Sequence, residues 1–183
     1  MNIAVYCGSS AGNDNAYIES AKKLGAWIGK MGYTMVYGGS NVGLMGAAAD
    51  ACINAGGRVI GVQPKVPAIL SKKHEGISEY ILTETVADRR SKMIELADAF
   101  VALPGGVGTL DEISEVLSLK SLRLAPGRVV FVDTLNYYSP MRQFAVQMIS
   151  NGFAKSEYFE DVLFSDDIEE IGEFIQGGNG DEA

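Results

Sequence analysis

Histidine and tryptophan each occur once in this 183-residue chain, cysteine occurs twice, and proline five times. Each scarcity removes a class of protein. The single histidine, His74, cannot supply a His-rich metal site. The two cysteines, Cys7 and Cys52, show neither zinc-type spacing nor a disulfide framework. Both lie in apolar runs, as buried free thiols in a reducing cytoplasm would. Positive charge is also short, with 15 Lys and Arg against 23 Asp and Glu and a formal charge of −8. Nucleic-acid polymers are bound largely by neutralising many phosphates, so no nucleic-acid partner is expected. Apolar stretches fall short of the roughly 20 residues that span a bilayer. The chain opens directly on a strand-like run, Asn2 to Cys7, without a signal-peptide pattern. No membrane partner is expected either, and the expected location is cytoplasmic. Familiar nucleotide fingerprints are missing too: CGSSAG at 7–12 lacks GxGxxG spacing, and no GxxxxGK[ST] occurs.

What the chain does have is 47% hydrophobic residues and 22 glycines, many of them placed just after apolar runs. The apolar runs have strand length: Ile3–Cys7, Thr34–Tyr37, Val59–Val62, Tyr80–Thr83, Ala99–Leu103, Val129–Val132 and Val162–Phe164. Helical patterns separate them, among them Ala16–Met31, Val42–Ala55, Arg89–Ala97 and Leu110–Leu122. Strands hydrophobic on both faces, alternating with amphipathic helices, predict an α/β fold of the doubly wound, Rossmann-like kind. Its sheet should be mainly parallel, of about seven strands, with helices on both faces. No change of composition marks a second domain, so 1–176 reads as one nucleotide-binding α/β domain. The polar, Gly-rich 177–183 reads as a flexible tail. The irregular stretch Gln63–Ser78 reads as a surface loop over the sheet edge, with His74 as a casual surface histidine.

Ligands of open α/β sheets gather where strands end and helices begin. Three such turns are glycine-rich: Gly8-Ser9-Ser10, then Gly38-Gly39-Ser40-Asn41 with Gly43 and Gly46, then Pro104-Gly105-Gly106-Val107-Gly108-Thr109. Unpaired N–H groups and a helix dipole at each favour an anion. Met45 lies beside the second turn. In the third, Thr109 and Glu112 also form T-x-x-E, the pattern of a helix capping box, and spacing alone does not separate cap from catalyst. Arg89 and Arg90 open another helix against its macrodipole. They are either a solvated basic face or two guanidiniums held for a phosphate.

Four strings together resemble the LOG family: YGGSNVGLMGAAADA (37–51), GGRVIGVQP (56–64), DRRSKM (88–93) and DAFVALPGGVGTLDEI (98–113). These are the cytokinin riboside 5′-monophosphate phosphoribohydrolases, also filed under a historical lysine decarboxylase label. The specific feature is PGGxGTxxE combined with an upstream Arg-(Lys/Arg)-x-x-Met. The resemblance implies hydrolysis of the N-glycosidic bond of an N6-substituted adenosine 5′-monophosphate, giving free base and ribose 5-phosphate without metal or cofactor. It places catalytic roles on Arg89 and Glu112 and phosphate binding on Gly105, Gly106, Gly108 and Thr109. Gly39 and Gly43 line the second turn, with Met45 and Arg90 as further substrate contacts. Dimers or larger assemblies are implied, with the site near the subunit interface, and a homodimer is expected. The chain departs from the family pattern in having Val86-Ala87 where Met-His is usual, Arg90 where Lys is common, and Asp111 as the first of the acidic pair. A non-catalytic nucleotide-binding or sensing protein would keep the same cradle, and is the competing reading.

Overall fold

The computed structural model describes residues 1–177. The expected tail lies outside the described residues except for Gly177, which ends the last helix.

In chain order the elements are β1 (Asn2–Tyr6), α1 (Asn15–Lys30), β2 (Thr34–Tyr37), α2 (Gly43–Asn54), β3 (Arg58–Pro64), a short α3 (Pro67–Leu70) and β4 (Glu79–Thr83). There follow α4 (Val86–Leu96), β5 (Ala99–Ala102), α5 (Val107–Ser121), β6 (Val129–Val132), α6 (Ser139–Ser150), β7 (Val162–Ser165) and α7 (Ile168–Gly177). The seven strands form one sheet in the order β4-β3-β2-β1-β5-β6-β7, and every pairing is parallel. The chain winds outward from β1 to β4, then crosses back to β5 and winds the other way. The reversal lies between β1 and β5, so the connections leaving their C-terminal ends diverge there and leave a crevice.

Side-chain alternation explains why both faces are covered. Along β1, Ile3 and Val5 join the core under α1, α2 and α7, with Leu24, Ile28, Ala48, Cys52 and Ile171. Ala4 and Tyr6 face the other way, into a core with Met93 of α4, Ile113 and Val116 of α5, and Tyr138. Both thiols are buried and unpaired. Among the described residues, no helix is long and apolar enough to cross a membrane.

Thr34–Tyr37 and Val129–Val132 match the sequence reading residue for residue, and the other strands differ by one or two residues at an end. Two helices begin three residues early. α4 starts at Val86 because Thr85 caps it, and α5 starts at Val107 because Gly108 is taken into its first turn. The stretch Gln63–Ser78 is not simply a loop over the sheet edge. β3 continues to Pro64, α3 follows, and the rest folds onto the second glycine turn. There Asn41 donates its N–H to the Lys72 carbonyl at 2.9 Å, and His74 donates its N–H to that of Gly39 at 3.1 Å.

α1 and α2 cross where Gly25 meets Ala48. A Cβ on Gly25 would lie 2.1 Å from the Ala48 carbonyl oxygen and 2.9 Å from its carbon, both backbone atoms that cannot swing aside. Gly25→Ala is therefore expected to cost about 1–3 kcal/mol by overpacking. Thermal denaturation should show the midpoint falling by several degrees.

Candidate active site at the crevice between β1 and β5

The loop after β5 is held from behind. The Gly8 N–H donates to the Pro104 carbonyl at 3.1 Å, and the Tyr137 hydroxyl to the Gly105 carbonyl at 2.5 Å. The Tyr138 hydroxyl donates to the Leu103 carbonyl at 2.7 Å. With these carbonyls drawn away, the chain enters α5 through Gly106 as N-cap, with no side chain capping it and no acidic residue in the first turn. The opening amides of an α-helix have no partner within the helix, and the dipole adds positive potential there. Val107, Gly108 and Thr109 carry these amides, and all three line a cavity of about 430 Å³ together with Gly106.

Strand ends form the floor of that cavity, with Val5, Tyr6 and Cys7, and its sides include Gly8, Ser9, Gly38, Ser40 and Met45. Ala68, Ile69 and Lys72 close it from the β3–β4 segment, and Arg89 and Glu112 project into it from α4 and α5. Arg89 Nη1 lies 2.6 Å from Glu112 Oε1, and the two side chains are only 17% and 8% exposed. Arg89 also donates from Nε to the Val62 carbonyl at 3.1 Å. A Cβ on Gly38 would stand 2.6 Å from Arg89 Nη2, so only glycine leaves room for the guanidinium. Gly43, at φ +60°, holds the second turn in the left-handed region beside the Ser9 backbone, where a side chain would be strained.

Burial raises the Glu112 carboxyl above the ordinary glutamate value; the Arg89 charge opposes that shift without cancelling it. Glu112 is thus a stronger base than a free glutamate, and among the described residues it is the one carboxylate lining the cavity. Burial also raises the Tyr6 phenol and the Cys7 thiol, so both stay protonated at neutral pH and neither is an activated nucleophile. Among the described residues no group of three or more His, Cys, Asp or Glu could hold a metal ion.

The capping reading of Glu112 is corrected here. Thr109 is the third residue of α5, not its N-cap, so Thr109 and Glu112 form no capping box. The real box sits on α4. Thr85 Oγ1 accepts from the Asp88 N–H at 3.0 Å, and Asp88 Oδ2 accepts from the Thr85 N–H at 3.0 Å. Asp88 thereby offsets the misplaced basic charge that follows it, which lets Arg89 sit in the first turns of α4 at all.

Other expected site residues are scattered by function. Met45, Gly106, Gly108 and Thr109 line the cavity with Arg89 and Glu112, whereas Gly39, Gly43 and Gly105 shape its turns from behind. Arg90, expected to touch substrate, does not line the cavity. It turns to α5, with Nη1 3.0 Å from Asp111 and Nε donating to Glu115 at 2.5 Å. Two departures from the family pattern, Arg90 and Asp111, therefore face each other. His74 is not a surface histidine. It is buried, its Nδ1 accepts from the Gly76 N–H at 3.1 Å, and its Nε2 lies 3.0 Å from Asp50 Oδ1. Gly38 and Ser40 belong to the second glycine turn read from the sequence, whereas nothing local signalled Ile69 in α3 or Lys72 just after it.

An α/β protein with a doubly wound parallel sheet, and a cavity lined by uncapped helix amides at its reversal point, is the class these features define. A family model described as possible lysine decarboxylase matches residues 45–175, and the chain belongs to this family, the LOG family. The cytokinin riboside 5′-monophosphate phosphoribohydrolase of Rhodococcoides fascians is 36% identical over 169 residues, covering 92% of this chain and 85% of that protein. A protein of the same name from Arabidopsis thaliana is 36% identical over 82% of this chain and 71% of its own length. Among solved structures, a molybdenum cofactor carrier protein of Chlamydomonas reinhardtii superposes with a TM-score of 0.73 at 22% identity, covering 96% of this chain and 98% of that one. A molybdenum cofactor binding protein of Rippkaea orientalis gives 0.71 at 22%, over 96% and 95%. At such identities the two structures share the fold alone.

Thr85→Ala removes one half of the α4 box and is expected to cost about 1 kcal/mol. Urea denaturation should show a lower midpoint with an unchanged slope.

Proposed function

We propose that the protein hydrolyses the N-glycosidic bond of an N6-substituted adenosine 5′-monophosphate, releasing the free base and ribose 5-phosphate. The observation that carries this reading is the buried Arg89–Glu112 pair opening into the same cavity as the α5 amides. The curated relatives named for this activity support it. The phosphate sits on the amides of Gly106 to Thr109, remote from the bond that breaks, so its binding energy positions the ribose. Positive charge builds on the sugar as the base leaves. The base, leaving with the bonding pair, takes a proton from solvent. Glu112 stabilises the sugar's charge and takes one proton of the attacking water as the water oxygen bonds to the sugar. Its raised basicity suits both tasks. Arg89, fixed by the Val62 carbonyl, orients Glu112. Gly39, Gly43 and Gly105 maintain the cradle, and Met45 packs against the nucleoside. Arg90, held by Asp111 and Glu115, serves the α4–α5 contact instead.

We further propose a cytoplasmic homodimer. Two buried free thiols accord with a reducing compartment. Apolar side chains are exposed at Val107 and Leu110 on α5, Val86 on α4 and Leu82 on the edge strand β4, and burying them against a second copy would remove apolar surface from water. Light scattering should report twice the chain mass of 19.5 kDa.

Incubation with AMP and N6-isopentenyl-AMP should release free base, followed by chromatography. Glu112→Gln should lower kcat by at least about 100-fold in a folded protein. Nucleotide binding without base release in the wild type would make this a binding protein instead. The acidic limb of kcat/KM against pH should lie above the ordinary glutamate value. Activity is lost as falling pH protonates the raised carboxyl, and Glu112→Gln should abolish that limb.

A further inference from the structure

The segment after α3 brings into the cavity a charge that nothing balances. Arg89 is matched by Glu112 at 2.6 Å, and no other carboxylate among the described residues lines the cavity. Lys72 also lines it, is exposed, and makes no ion pair or side-chain hydrogen bond among the described residues. Its neighbours along the chain are engaged. Lys65 pairs with Glu84, and the Lys73 ammonium lies 4.5 Å from the centre of the Tyr80 ring. In a chain of net charge −8, the cavity therefore combines one balanced ion pair, one free ammonium and one uncapped helix N-terminus.

The backbone of Lys72 is fixed while its side chain is free. Its carbonyl accepts from the Asn41 N–H at 2.9 Å, its N–H donates to the Ile69 carbonyl at 3.1 Å, and Ser40 and Lys73 form an isolated bridge. Two residues on, His74 ties the segment to Gly39 through its N–H at 3.1 Å and to α2 through Asp50 at 3.0 Å. The strap is thus anchored to the second glycine turn at Lys72 itself and at the two residues after it. A four-carbon stem carrying three donors on a fixed root can follow an oxyanion without a preset geometry.

We propose that Lys72 is a phosphate ligand of this site, which joins the α5 amides on the substrate's 5′-phosphate and makes the enzyme select nucleoside monophosphates over nucleosides. This rests on the nucleotide reading above. Amides and helix dipole supply fixed partial charges; Lys72 supplies the full positive charge that a phosphate dianion otherwise lacks here. Because the ammonium is exposed, the contact is screened by salt and releases product readily.

The test is to titrate AMP and adenosine into the wild type, Lys72→Ala and Lys72→Arg by calorimetry, and to measure turnover of AMP. Lys72→Ala should weaken AMP binding and raise KM by roughly 5- to 30-fold at low salt, with kcat within about twofold. It should also flatten the dependence of affinity on NaCl and leave adenosine binding and the melting temperature unchanged. Lys72→Arg should restore most of the affinity. Unchanged AMP affinity in Lys72→Ala, or equal loss for AMP and adenosine, overturns the proposal. Should the wild type neither bind nor cleave AMP, the nucleotide reading fails by itself. Titration with inorganic phosphate then decides Lys72 separately: weaker binding in Lys72→Ala upholds an anion ligand, and equal binding removes it.

Discussion

Arg89 and Glu112 face each other at 2.6 Å in a cavity floored by strand ends, and its geometry depends on keeping both charges there. Taking a carboxylate and a guanidinium out of water costs several kcal/mol for each ion, which their attraction recovers only with good geometry and further hydrogen bonds. The fold supplies these on the arginine side, through the Val62 carbonyl and the space left at Gly38. On the glutamate side it supplies little beyond Arg89, so burial prevails and the carboxyl is held above the ordinary glutamate value. Buried ion pairs are often matched in stability by a hydrophobic pair of similar volume.

The ion pair also joins two helices that the chain reaches by different routes. α4 returns from the edge strand β4 and α5 leaves the inner strand β5, so they lie side by side on one face of the sheet. A second contact, Arg90 with Asp111 and Glu115, sets their separation. The three glycine turns are joined in the same way. Gly8 donates to Pro104, Leu44 donates to the Gly8 carbonyl at 3.1 Å, and Asn41 donates to Lys72. Each turn is therefore positioned by backbone bonds to the next, which leaves their side chains and the α5 amides free for a ligand.

The fold was legible because parallel strands buried on both faces read as continuous apolar runs, and seven of these alternate with helical patterns. The glycine turns were legible for the same local reason, since a strand-to-helix turn needs residues without side chains. Helix starts were less so. The true capping box, Thr85 with Asp88, stood beside a run of basic residues that looked like the helix opening, and T-x-x-E at Thr109 imitated a box without forming one. Spacing records which residues could pair, whereas the position of the first helical hydrogen bond decides which do.

What the sequence by itself determined is local: the period of each element, the apolar faces, and the amides and charges at the strand ends. Tertiary structure decided which of those groups meet. It turned Arg89 into the cavity and its neighbour Arg90 out to α5, because successive residues on a helix point about 100° apart and only packing sets which direction is inward. It buried His74 against Asp50 and brought Lys72 from a nondescript polar stretch to the cavity wall. Those contacts join segments 24 and 31 residues apart, the first through side chains and the second through the backbone, and no local pattern encodes them.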